Sequence, residues 1–127
     1  MRQKKILVSL IVLCSLLFMN MGEINKFQEK DPNYLVTFIE LGSVRCIPCK
    51  KMEPILESIR KKYPEDVKVV FHDVWTEKGE PYATKYKVKK IPTQVFLDKE
   101  GKEYFRHEGF LPEDDVLKVL RLKGVKK

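Results

Sequence analysis

The 127-residue sequence predicts an α/β domain, with a central mixed sheet of about four strands and helices on both faces. Three observations carry this. Apolar, β-rich runs alternate with amphipathic helix-forming ones, the pattern of parallel strands joined by crossovers. One run, residues 34–41 (YLVTFIEL), is nearly all apolar, as a strand covered on both faces must be. Near the C-terminus two strand-like runs flank Asp98-Lys99-Glu100-Gly101, a hairpin signal that adds an antiparallel half.

In chain order, residues 23–30 read as a short helix ahead of the Asp31-Pro32-Asn33 turn. Residues 34–41 make the central strand, interrupted by the charge of Glu40. A helix opens at Cys46 and runs to Lys62, with Met52, Ile55, Leu56 and Ile59 on one face. Pro54 should kink it, because proline lacks the N–H that the preceding turn needs. Residues 67–74 (VKVVFHDV) form a second strand, followed by a loop and a helix over 80–86. Residues 93–97 (TQVFL) and 103–107 (EYFRH) form the hairpin, with Gly101 available for positive φ. Residues 112–122 are a last amphipathic helix with Val116, Leu117, Val119 and Leu120 as its stripe.

Residues 1–22 stand apart from this plan. Arg2, Lys4 and Lys5 precede a 14-residue apolar run, 6–19, broken only by Ser9, Cys14 and Ser15. That is a signal peptide or an N-terminal membrane anchor, leaving residues 23–127 as the folded domain. The run is shorter than the roughly 20 residues that span a bilayer, which favours cleavage. Asn20-Met21-Gly22 is a poor cleavage site, which favours an anchor. Leu13 before Cys14 argues against a lipoprotein signal. In each export case the positive-inside bias places the domain outside the cytoplasm, in the periplasm or on the outer face of the membrane, where disulfides persist.

The chain has 25 basic and 18 acidic residues; without Arg2, Lys4 and Lys5 the balance is 22 to 18, or +4. These charges are interleaved along the chain, which fits solvated faces and not a nucleic-acid stripe.

Cys46-Ile47-Pro48-Cys49 lies where the central strand gives way to a basic helix. A thiol at a helix N-terminus meets unpaired N–H groups and the positive end of the macrodipole, so it ionises more easily. A second thiol one turn on can displace whatever the first captures. The pair therefore reads as a dithiol/disulfide redox site. Zinc would need about four ligands, and only His72 and His107 could add imidazole, neither in a partner motif. Cys14 is in the leader. A purely structural disulfide would close too small a loop to stabilise much.

With Ile91-Pro92-Thr93 opening a later strand, a proline five residues after Cys49, and Gly101 and Gly109 around the hairpin, the chain resembles the thioredoxin superfamily over about residues 25–122. The resemblance implies a thioredoxin-like fold. It implies that Cys46 is the exposed attacking cysteine and Cys49 the buried resolving one. It makes Pro92 a cis-proline whose loop faces the disulfide and offers backbone groups to a substrate chain, so that Ile47, Pro48, Ile91, Pro92 and Arg45 form the substrate-facing surface. Glu40, six residues before Cys46, falls at the family's buried acid, where a raised pKa would let it relay a proton to or from Cys49. The competing view of Glu40 is a strand-end residue paired with Lys50 or Lys51.

The sequence also departs from the family. Arg45 stands where a tryptophan usually precedes the first cysteine; its charge favours the thiolate and removes an aromatic wall. Val69 replaces the lysine that often partners the buried acid, and the family's first strand has little chain in which to form. The loop of residues 74–82, holding Trp75, is longer than usual by about four residues and is read as an elaborated turn. His72 and His107 sit on strands as structural residues.

The expected activity is thiol:disulfide oxidoreduction of protein disulfide or dithiol substrates, in the reducing direction, by a membrane-associated monomer fed by a membrane thiol donor. No cofactor, metal or nucleic acid is implied. The alternatives are an extracytoplasmic disulfide oxidase or isomerase, a copper-binding thioredoxin-like module using both thiolates with a histidine or methionine, and a non-catalytic interaction domain.

Overall fold

The computed structural model describes residues 33–126. The expected helix over 23–30, the leader and any first strand lie outside these residues. Among the described residues the elements are β1 (Val36–Gly42), α1 (Ile47–Lys50), α2 (Glu53–Lys62), β2 (Val67–Asp73), α3 (Glu80–Lys85), β3 (Thr93–Asp98), β4 (Glu103–Glu108) and α4 (Glu113–Arg121).

They build a four-stranded sheet in the order β2-β1-β3-β4. β1 pairs parallel with β2 and antiparallel with β3, and β3 pairs antiparallel with β4. All seven residues of β1 are buried, as its unbroken apolar run requires. Alternation along the strand then sorts the core into two clusters. Val36 and Phe38 point to the face covered by Ile55, Leu56 and Ile59 of α2 and by Val116, Val119 and Leu120 of α4. Ile39 and Leu41 point to the other face and meet Tyr82 and Ala83 of α3, with Tyr86 just beyond it. The mixed sheet with helices on both faces is the predicted architecture.

The hairpin closes as its residues suggest. Gly101 takes φ 79°, and Asp98 Oδ1 accepts the N–H groups of Glu100 and Lys102 at 3.0 Å each.

The single kinked helix expected from Cys46 to Lys62 is instead two. α1 ends at Lys50, and Pro54 lies in the first turn of α2. A proline ring clashes with the carbonyl four residues back and offers it no N–H, and here that carbonyl is Lys50's. The chain therefore stops helix before the proline and restarts with Pro54 where no N–H is required. Glu113 at the head of α4 accepts from Ser58 Oγ (2.8 Å) and from Lys62 Nζ, tying α4 to α2.

Candidate active site

β1 delivers the chain to the site. Beyond Gly42, residues 43–45 turn, and Cys46 takes an extended conformation (φ −93°, ψ 121°) as the N-cap of α1. Two bonds to Ser43 shape the turn: the Cys46 N–H donates to its carbonyl at 3.1 Å and the Arg45 N–H to its hydroxyl at 3.2 Å. Pro48, inside the first turn of α1, needs no N–H there. One helical turn then brings Cys49 back to Cys46, and the two are joined as a disulfide with Cα atoms 5.2 Å apart.

Exposure does not separate the cysteines as the resemblance implied: Cys46 is 7% and Cys49 5% exposed. The exposed rim around the cystine is made by Val44 and Ile47 at 62% and 72%. Pro48 and Arg45 are exposed beside them. A cleft of about 220 Å³ runs along Cys49, walled by Val44, Leu56 and Phe71, with Arg60 and Lys50 at its margin.

A second loop is fastened to the first. The Asp73 carboxylate, at the end of β2, accepts the Val44 N–H at 3.2 Å with one oxygen and the Trp75 N–H at 3.1 Å with the other. Burial opposes its ionisation, but these two N–H groups, the Ser43 hydroxyl and the Arg45 charge hold its pKa below the ordinary value. Trp75 thereby lies beside the site, half exposed, with the Arg45 guanidinium 5.6 Å from its ring centroid. Arg45 removes one aromatic wall from the sequence, and Trp75 supplies another from a different element. The loop read as an elaborated turn therefore reaches the site.

The Ile91–Pro92 peptide is cis. Thr93 pairs with Leu41, so Pro92 sits at the end of the sheet from which the cysteine loop leaves. Pro92 is buried and Ile91 half-buried against the second core cluster. The Pro92 carbonyl accepts the Gly109 N–H at 2.7 Å, and the Lys90 carbonyl accepts the Thr93 hydroxyl, so both groups are engaged within the protein.

Glu40 is fully buried and makes no ion pair among the described residues, with Lys50 and Lys51 exposed at the surface. β1 also runs two residues past it, so it is no strand-end residue. Its partner is Gln94 on β3, whose Nε2 donates to Glu40 Oε2 at 3.0 Å. Burial pushes the carboxyl up from its ordinary 4.5 to about 8, with the Gln94 bond pulling the other way. Below it, a Cβ on Gly42 would lie 3.2 Å from Cys49 Sγ and 3.4 Å from Glu40 Oε1. The missing side chain of Gly42 is thus the space between carboxyl and sulfur.

Gln94, Gly42 and Asp73 were not singled out from the sequence. The signal for Gln94 was available: an uncharged polar residue at an inward position of an apolar strand needs a buried partner. The histidines behave as structural residues, His72 stacked on Tyr82 at 3.5 Å and His107 Nε2 lying 3.1 Å from the Phe110 carbonyl. Among the described residues no three His, Cys, Asp or Glu side chains gather as a metal site, and no helix is long and apolar enough to cross a membrane.

Residues 22–123 match the family of thioredoxin-like domains. The chain belongs to that family. A thioredoxin of Borreliella burgdorferi is 33% identical over 76 residues, which is 60% of this chain and 62% of that protein. The putative thioredoxin H10 of Arabidopsis thaliana is 28% identical, over 61% of this chain and 48% of its own length. This chain thus spans less than two thirds of either relative. A Staphylococcus aureus thioredoxin is 29% identical over 67% of this chain and 79% of its own. Among solved structures, Fasciola hepatica thioredoxin superposes with a TM-score of 0.62 at 28% identity, covering 72% of this chain and 84% of its own. Chloroplastic thioredoxin z reaches the same TM-score at 22% identity, over 72% of this chain and 79% of its own, a likeness of fold.

Proposed function

We propose that this protein is a thiol:disulfide oxidoreductase that exchanges protein disulfides through Cys46 and Cys49. The observation that carries the reading is the cystine at the tip of β1 with a buried carboxyl beside its second sulfur. In the reducing direction the Cys46 thiolate attacks a substrate disulfide; a Cys46–substrate bond forms, the substrate bond breaks and one substrate thiolate leaves. Cys49 then attacks the Cys46 sulfur, expels the second substrate thiolate and closes the Cys46–Cys49 bond. Two electrons pass to the substrate, and solvent protonates its thiolates. Glu40 takes the Cys49 proton in this step and returns it when the pair is reduced again, a role for which a pKa near 8 is suited.

Val44, Ile47 and Trp75, exposed around the disulfide with Arg45 among them, form the surface for the substrate chain, with Ile91 and Pro92 at the same end of the sheet. The reducing direction is favoured because Pro48 before the second cysteine resembles reducing thioredoxins. The opposite, oxidising or isomerising, direction has one observation in its favour: Arg45 next to Cys46 stabilises the thiolate, which makes a disulfide more oxidising. The basic and apolar leader supports export with tethering or secretion, and a membrane thiol donor would then regenerate the dithiol.

The test is the reduction potential of the Cys46–Cys49 pair, equilibrated against dithiothreitol or glutathione. A value near roughly −270 mV fits a reductase, one between about −120 and −180 mV an oxidant or isomerase. Absence of a two-electron transition removes the redox reading.

A further inference from the structure

We propose that Gln94 is a positioning residue, whose side-chain amide holds the Glu40 carboxyl by one oxygen so that the other faces Cys49 across the gap left by Gly42. This rests on the reading of Cys46–Cys49 as an exchange site with Glu40 as its proton carrier.

Glu40 and Gln94 are directly paired across the β1–β3 ladder, project from the same face and are both fully buried. The amide takes Oε2 at 3.0 Å. Oε1 has no hydrogen-bond partner among the described residues, and it is the oxygen that borders the Gly42 gap, opposite Cys49 Sγ. A buried carboxyl without a fixed partner can rotate both oxygens away from a sulfur; an amide on one oxygen removes that freedom. Packing alone would not select Gln94. Its neighbours Val95, Phe96 and Leu97 fill the strand with apolar side chains, and burying an amide costs free energy that the one bond from Nε2 only partly offsets, since Gln94 Oε1 has no hydrogen-bond partner among the described residues.

The surroundings leave the control of Glu40 to this contact. Opposite Glu40 on β2 is Phe71, and beyond Gln94 on β4 is His107, bonded to a carbonyl. Cys49 comes from α1. Lys50 of α1 and Glu53 and Arg60 of α2 line the neighbouring cleft; burial raises the Glu40 pKa and the Gln94 bond lowers it.

The experiment uses Gln94→Met, which keeps length and removes the donor. In the oxidised protein, the Glu40 carboxyl is titrated by ¹³C NMR. A lost bond to a buried carboxylate should raise its midpoint by about one pH unit. An unchanged midpoint overturns the proposal. In the reduced protein, 5,5′-dithiobis(2-nitrobenzoate) gives two bursts of thionitrobenzoate. The first marks attack by Cys46, and the second marks displacement by Cys49. The pH inflection of the second burst, relative to the first, should move up with the Glu40 midpoint in Gln94→Met and vanish in Glu40→Gln. An inflection that stays at the wild-type pH overturns the proposal.

If Gln94→Met does not fold, Gln94→Leu decides by the same two readings: the Glu40 midpoint and the second-burst inflection should both move up, and wild-type values overturn the proposal. Should the wild-type dithiol reduce no protein disulfide, the functional reading fails on its own, while the titration of the oxidised protein still tests Gln94.

Discussion

Phe38 and Glu40 lie two residues apart on one face of β1, both fully buried, and each meets its partner on β3. Phe38 stacks on Phe96 with ring centroids 4.5 Å apart, whereas Glu40 is bonded by Gln94. The aromatic pair is covered by α2 and α4 and gains from every apolar contact; burying such a ring stabilises by about 1.5–3 kcal/mol. The polar pair gives stability away, because burial sets the carboxyl against its charged form and only one hydrogen bond offsets this. Moving along one ladder toward the cysteines, the sheet changes from holding the fold to holding a proton.

The sharpest way to break this comparison is Phe38→Ala. It should lose about 3–5 kcal/mol in urea unfolding, since a cavity opens between two helices and the sheet. A loss no larger than that of an exposed substitution would mean the aromatic pair does not anchor the core.

Next comes the pH dependence of stability. Below pH 4.5 the folded and unfolded chains both hold the Glu40 proton. Between 4.5 and about 8 the unfolded chain releases it while the folded one keeps it, so rising pH favours unfolding; above about 8 the slope ends. Glu40→Gln should remove a pH-dependent loss on the order of 5 kcal/mol, read as the difference between wild-type and variant unfolding curves across that window. Parallel curves would refute a buried, proton-holding Glu40.

Smaller effects belong to the loops. Asp73→Ala frees the Val44 and Trp75 N–H groups and should cost about 1 kcal/mol, because water replaces much of what is lost at a partly exposed site. Trp75→Ala should change stability by only about 0.5–1 kcal/mol, the worth of an exposed cation–π contact. It should weaken exchange with a protein disulfide more than with a small one. Equal loss for both would remove Trp75 from the substrate surface.

Much of this was legible in the sequence, because it depends on neighbours along the chain. The central strand showed in its apolar run, the hairpin in Gly101 and the redox pair in its spacing at a strand-to-helix junction. Pro54 gave the right break for a local reason, although it ended one helix and began another instead of bending one. Contacts between distant segments were not legible. Gln94 meets Glu40 across 54 residues, and Arg45 meets Trp75 from another loop, so no periodicity marks either pair. The near-equal burial of the two cysteines belongs to the packing around the folded site and not to the spacing of the pair.

The Asp73 carboxylate fastens the Trp75 loop to the cysteine turn. Because one carboxylate grips both loops, Trp75 and the Cys46 turn are held in register by the end of β2 and not by the length of the segment that follows. That segment folds back tightly, and a side chain on Gly79 would collide with the Asp73 carbonyl. The turn of residues 76–79 backs the clasp, with Thr76 donating to the Asp73 carbonyl through both its N–H and its hydroxyl, so a side chain at Gly79 should disturb the spacing between tryptophan and disulfide.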